Sequence, residues 1–337
     1  MELLERITAF TLLGSKISNL SADQRGEIYN RAKNLNPWFV SESVELSLQG
    51  IALFLNKEKL SSWTRSYPLS DSKNKKVGLA MAGNIPLVGF HDYLSVLISG
   101  NKLIIKLSSQ DSYLLPLINS WLIEIEPRFA DKIHFEERLK NIDAIIATGS
   151  DNTSRYFEYY FRNIPHIIRK NRSSIAILMG EEDTDHLTEL GKDVFSYFGL
   201  GCRNISKVFV PEGYDFIKLL DSWAGYKEII NHHKYANNYD YQKSILLVNK
   251  VPHLDNGFVL LTQHEQLVSP ISVLHFETYT TQTDLKNKIK VQKDKIQCIV
   301  SANGWYDQSL PFGKAQQPEV WDYADSIDTM QFLTEMN

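Results

Sequence analysis

The chain has 337 residues, 43% hydrophobic and 23% charged, with a formal net charge of −4, which is ordinary for one large or two medium globular domains. Acids and bases are interspersed without a basic face, so a nucleic-acid partner is not expected, and two cysteines argue against a disulfide framework. No run approaches the ~20 apolar residues of a membrane span, and the acidic start "MELLERITAFTLLG" does not read as a signal peptide, so a cytoplasmic enzyme or binding protein is the expectation.

Residues 1–60 read as amphipathic helices, with Ser21 and Gln24 placed for a capping box. From Lys76 the texture changes. "VGLAMAGNIPLVG" is a strand running into a loop, "FHDYLSVLIS" a helix stopped at Gly100–Asn101, and "KLIIKL" a buried strand. That is a strand–helix–strand crossover, and the alternation continues. "SYLLPLINSWLIEIE" is helical with Pro116 near its first turn, "NIDAIIATGS" a strand and "NTSRYFEYYFR" a helix. "SSIAILMG" is a strand and "DTDHLTELGKDVFSYFG" a helix capped by Asp183 or Thr184. In the second half "SKVFVPEG", "SILLVN", "FVLLTQ", "ISVLHFETY" and "IQCIVSA" read as strands. "YDFIKLLDSWAGYKEIINH" and "TQTDLKNKIKVQ" read as helices. Alternating strands and helices imply an α/β architecture.

Several stretches could carry chemistry. The turn "ATGSDNTS" sits between a strand and a helix, where backbone N–H groups can hold phosphate, although it lacks a G-x-G-x-x-G pattern. Lys106 ends a strand, where a lysine usually snorkels to water. Cys298 lies in the apolar run "IQCIVS" and reads as core. Cys202 lies in the polar, glycine-bounded "FGLGCRN", where a neighbouring cation can favour thiolate. Nine histidines form no metal pattern, and the pair in "NHHK" cannot share a helix face. "KYANNYDYQK" reads as a solvated turn or a ligand-lining loop.

The order "GNIP", "GNKLIIK", "TGS", "GCRN", "SPISVL" and "LPFG", followed by "FGKAQQPEVWDYADSIDTMQFL", resembles the LuxC-like acyl-CoA reductase branch of the aldehyde dehydrogenase superfamily over about residues 75–337. The resemblance implies an aldehyde dehydrogenase-like fold of two α/β domains. One is a Rossmann-like cofactor domain, which with the N-terminal helical region spans 1–180. The other is a catalytic domain over 181–310, and a tail, 311–337, returns to the cofactor domain or to a neighbouring subunit. It implies Cys202 as nucleophile and Asn84 in the oxyanion hole. Lys106 would contact the adenosine ribose or its 2′-phosphate, and Thr148, Gly149 and Ser150 would lie beside the cofactor phosphates. Pro311, Phe312 and Gly313 would form a loop closing the catalytic region. The implied cofactor is NADPH or NADH without a metal, the substrate an acyl-CoA, and a homo-oligomer or an acyl-transfer partner protein is possible on this pattern.

Two departures from the superfamily matter. Where hydrolytic relatives carry a glutamate that activates water, this chain reads "HIIRKNRSSIAIL"; where they read E-I-F-G-P it reads "QLVSP", with Gln266 at the glutamate position and Glu265 before it. Without that base an acyl-enzyme is expected to wait for hydride, giving aldehyde. A hydrolytic aldehyde dehydrogenase, an acyl-phosphate reductase using Arg169, Lys170 and Arg172, and a non-catalytic binding protein on this fold remain the alternatives.

Overall fold

The computed structural model describes residues 1–69, 74–149 and 151–336. They divide into two compact units, Met1–Asn171 with Pro318–Asn337, and Arg172–Gln317.

The first unit opens with four helices, α1 (Leu3–Ser18), α2 (Ala22–Leu35), α3 (Ser41–Phe54) and α4 (Lys57–Arg65). Ser21 Oγ accepts from Gln24 N–H while Gln24 Oε1 accepts from Ser21 N–H, closing the capping box on α2. Helix α1 buries Ile7, Phe10, Leu13 and Ile17 at helical spacing. A Cβ on Gly14 would lie 2.7 Å from Leu55 Cβ, so glycine lets α1 approach the end of α3.

A parallel sheet follows, built from β1 (Lys76–Ala80), α5 (Phe90–Ile98), β2 (Lys102–Lys106), α6 (Leu114–Ile125), β3 (Ile133–Phe135), β4 (Ala144–Thr148), α7 (Asp151–Phe161) and β5 (His166–Arg169). The strand order is β3-β2-β1-β4-β5. Both faces of the sheet are covered, which is why its strands read as near-continuous apolar runs: Ala144 and Ile146 join one core cluster, Ile145 and Ala147 another. The chain winds from β1 through β2 to β3, then crosses back to place β4 on the other side of β1. Two loops therefore diverge from the carboxyl ends of β1 and β4.

The second unit contains β6 (Ser173–Ile177), α8 (Thr184–Phe195), β7 (Ile205–Pro211), α9 (Phe216–Ser222), α10 (His233–Val248), β8 (His253–Asp255), β9 (Leu260–Gln263), β10 (Val273–Tyr279), α11 (Gln282–Gln292), β11 (Ile296–Ser301) and β12 (Leu310–Pro311). Its sheet runs β12-β11-β6-β7-β10-β9-β8, parallel except for the β8–β9 pair. Asp183 Oδ1 accepts from His186 N–H and caps α8. "SILLVN" is not a strand: Ser244–Val248 are the last turns of α10. "KYANNYDYQK" is neither a turn nor a loop but most of the same helix. Tyr235 and Tyr239, four residues apart, are buried, and their hydroxyls donate to Phe258 O (3.0 Å) and Asp255 Oδ1 (2.7 Å). Tertiary anchoring of those two rings outweighs the β-propensity of a short apolar run.

The last stretch belongs to the first unit and ends in α12 (Thr329–Glu335). Trp63 Nε1–H donates to Tyr323 OH (2.6 Å), Tyr67 OH donates to Asp328 Oδ2 (2.8 Å), and His91 Nε2–H donates to Val320 O (2.7 Å).

Candidate active site

Cys202 stands on a short turn at the amino end of β7, half-buried and outside any disulfide. The chain reaches it by a sharp reversal after α8, with Tyr197, Phe198 and Gly199 at φ of 51°, 58° and 76°. Such left-handed backbone costs energy at non-glycine residues, so the surrounding contacts must hold it. Asn204 is the chief of these. Its Oδ1 accepts from Gly201 N–H (2.8 Å), and its Nδ2 donates to Asp193 O (3.0 Å) and Ser196 O (2.8 Å). The side chain thus ties the Cys202 turn to the end of α8. Ser174 Oγ on β6 donates to Cys202 O (3.0 Å). The same oxygen lies 3.1 Å from Cys298 Sγ on β11, so Cys298 is part of the scaffold behind the turn.

The Pro311–Gly313 segment starts at the last residue of β12. Gly313 N–H donates to Asp193 Oδ2 (2.7 Å) and Ala315 N–H to Asp193 Oδ1 (2.9 Å), while Arg203 Nε–H donates to Ala315 O. Burial pushes the Asp193 carboxyl up to about 7; the two amides and Arg203 oppose that shift, and Glu189 adds to it.

The 264–267 stretch, which includes Gln266, is held by its carbonyls. Lys207 Nζ, fully buried, donates to Glu265 O (2.8 Å) and pairs with Glu277 (2.5 Å). His275 Nδ1–H donates to Gln266 O (2.9 Å), and Ser206 Oγ donates to Leu267 O (2.7 Å). Burial, with His264 and Lys207 adding, lowers His275 to about 4, so this imidazole is neutral.

In the first unit, three of the expected cofactor residues share one edge. β1 pairs Ala80 with Lys106 on β2 and with Ala147 on β4, which places Lys106, Thr148 and Gly149 at the carboxyl edge. Asn84 lies in the loop that leaves β1 from that edge. This loop is tightly held: Leu87 N–H donates to Asp111 Oδ2 (2.9 Å), Ser47 Oγ donates to Pro86 O (3.0 Å), and a Cβ on Gly83 would lie 2.6 Å from Ser108 Oγ. Lys106 is exposed. A Cβ on Gly149 would come within 2.9 Å of Thr153 Cβ, so the turn after β4 folds closely onto α7. Ser150 lies outside the described residues. Among the described residues no group of three His, Cys, Asp or Glu is placed to hold a metal, and no helix is long and apolar enough to cross a membrane.

Residues 52–218 match the family of acyl-CoA reductase (LuxC). The chain is LuxC-like. The matched segment includes Asn84, Lys106, Thr148, Gly149, Ser150 and Cys202. Its LuxC-like character is joined by an aldehyde dehydrogenase fold. An aldehyde dehydrogenase of Bacillus cereus solved with NAD+ superposes at TM-score 0.64 with 13% identity, covering 89% of this chain and 72% of that one. One of Mycobacterium tuberculosis, also with NAD+, gives 0.62 and 12%, covering 89% and 73%. A Burkholderia cenocepacia protein assigned as an aldehyde dehydrogenase gives 0.66 and 13%, covering 89% and 74%. At that identity the likeness is one of fold. No curated protein matches the LuxC-like chain significantly by sequence.

Ser174, Asn204, Lys207 and Asp193 escaped the sequence reading. Asn204 had a signal, its place two residues after the candidate nucleophile. The other three are brought to the turn and to the 265–267 stretch by strand pairing and helix packing alone.

Proposed function

We propose that this LuxC-like chain reduces an acyl-CoA thioester to an aldehyde through an acyl-cysteine on Cys202, with NADPH or NADH. The observation that supports this most is the Cys202 turn itself, a thiol in the LuxC-matching segment held on a hydrogen-bonded reversal. A thiolate at Cys202 attacks the thioester carbonyl, forming a C–S bond. The Asn84 amide and the Cys202 backbone N–H stabilise the oxyanion, an effect worth ~3 kcal/mol per donor. Collapse breaks the bond to CoA, which departs as a thiolate and takes up a proton from solvent. A reduced nicotinamide, when bound, supplies the hydride. Each turnover consumes one hydride and one proton and releases one aldehyde and one CoA, and the Cys202 thiolate is regenerated.

The first unit suits such a cofactor. Ligands of open parallel sheets bind outside the strand carboxyl ends where the winding reverses, and here that point is the β1/β4 fork. Lys106, Thr148 and Gly149 stand at that edge, and the close turns at Gly83 and Gly149 bring backbone to it. An acyl-phosphate substrate is less well served by the basic residues near 170. Arg169 is buried in an ion pair with Asp92 and donates to Thr329 Oγ1 (2.9 Å), Lys170 pairs with Glu158, and Arg172 donates to Ile296 O.

Purified protein given acyl-CoA alone should release CoA in a stoichiometric burst and stall. Adding reduced nicotinamide should restart release with aldehyde formed. Mass spectrometry of the stalled enzyme should place the acyl group on the Cys202 peptide, and Cys202→Ser should lower turnover on the order of 10⁴-fold or more. Steady CoA release with free fatty acid and no cofactor, or an adduct on Cys298, would refute the reading.

A further inference from the structure

Asp193 has no part in the chemistry above, yet both its carboxylate oxygens are committed to the segment after β12. They accept from Gly313 N–H at 2.7 Å and Ala315 N–H at 2.9 Å. The backbone carbonyl of the same residue accepts from Asn204 Nδ2 at 3.0 Å. Arg203, the residue after Cys202, donates to Ala315 O. One buried residue therefore bonds, at its two ends, to the nucleophile's turn and to the segment facing it. The segment is drawn in closely: Gly313 has a φ of +79°, and a Cβ there would lie 2.4 Å from Glu189 Oε2. Phe312 and Ala315 are buried. A carboxylate is an expensive way to tie down a loop in a core, since desolvating the charge opposes the hydrogen bonds gained.

We propose that Asp193 is a positioning residue, whose carboxylate sets the Phe312–Ala315 segment against the Cys202 turn and thereby governs turnover at Cys202; this rests on the reading of Cys202 given above. The ionised carboxylate offers a full acceptor to each amide, and protonation weakens one of the two. The groups that act on it are Glu189 on α8, Arg203 on the turn and Tyr226 in the 224–231 segment, while Lys192 pairs with Glu189 and Lys314 donates to Gln317 Oε1. With burial holding the group up to about 7, the clamp tightens as pH rises through neutrality.

The test uses the full chain and two variants. Asp193→Asn turns an amide N–H₂ toward one of the two donors, and Gly313→Ala displaces the same segment while keeping the carboxylate. Hydrogen exchange followed by mass spectrometry should show at least tenfold faster exchange over 312–317 in each variant, with the β7 peptide unchanged. For acyl-CoA reduction, kcat/KM should fall at least tenfold at pH 8 in each. The wild-type rise through about pH 7 should flatten in Asp193→Asn, and the double variant should be no worse than the poorer single one. An Asp193→Asn protein that melts lower but keeps its kcat/KM and pH profile would reduce the residue to a structural role and overturn the proposal. If wild type reduces no acyl-CoA, the functional reading fails by itself. The clamp is then decided by the rate of Cys202 alkylation with iodoacetamide, expected to change severalfold in both variants; an unchanged rate overturns it.

Discussion

Asp193 shows how one residue can trade stability for position. Its folded value of about 7 lies above the ~3.9 of an unfolded aspartate, so the native state holds the proton more tightly. The stability this residue contributes is therefore present in full below about pH 4 and is lost as pH rises through about 7. The slope is at most ~1.4 kcal/mol per pH unit. Asparagine at 193 does not ionise and lacks that slope. Urea melts at pH 5 and pH 8 should accordingly show Asp193→Asn further below wild type at pH 5 than at pH 8. A gap that is equal at the two values, or wider at pH 8, contradicts the raised ionisation. At this same scale the sequence was informative about Cys202, because a glycine-bounded polar turn differs visibly from the apolar strand holding Cys298. It was silent about Asp193, since an aspartate near the end of an amphipathic helix looks the same whether it faces water or a loop more than a hundred residues later.

The turn between α8 and β7 has short-range backbone hydrogen bonds, Leu200 N–H to Tyr197 O (3.1 Å) and Asn204 N–H to Gly201 O (3.0 Å), and the Asn204 side chain adds the ties that join it to α8. Removing the side chain strands Gly201 N–H and the Asp193 and Ser196 carbonyls together. Each buried group left unsatisfied costs ~1–3 kcal/mol. Asn204→Ala should therefore lower unfolding free energy by about 2–4 kcal/mol in denaturant melts and slow Cys202 alkylation, whereas loss of under about 0.5 kcal/mol would show that the turn holds itself. Helix α10 teaches the opposite lesson about legibility. Leu247 and Val248 are 58% and 80% exposed, so the apolar run "SILLVN" does not mark a buried strand. What holds the helix inward is Tyr235 and Tyr239 one turn apart, a spacing present in the sequence but masked by the polar residues between them.

Across the whole molecule, the final stretch is what closes the first unit. Val320, Met330, Leu333 and Met336 are buried, and Lys59 pairs with Glu319 while Tyr67 and Tyr323 share a hydrogen bond of 2.7 Å. Burying one such side chain contributes ~1.5–3 kcal/mol, so ending the chain after Gln317 should remove several kcal/mol. The truncated protein should melt at least ~10 °C lower or fail to fold, and an unchanged melting temperature would show that the stretch is dispensable. By itself the sequence determined the α/β alternation, the capped helices and the polar setting of Cys202, because these follow from periodicity and capping within some ten residues. Its ordered short motifs also carried the LuxC likeness. Strand order, the β1/β4 fork, the membership of Ser173–Ile177 in the second sheet and the Asp193 clamp were decided only in the tertiary structure. Each joins residues far apart in the chain, and neither local propensity nor apolar pattern encodes which distant partner a strand edge or a buried carboxylate will meet.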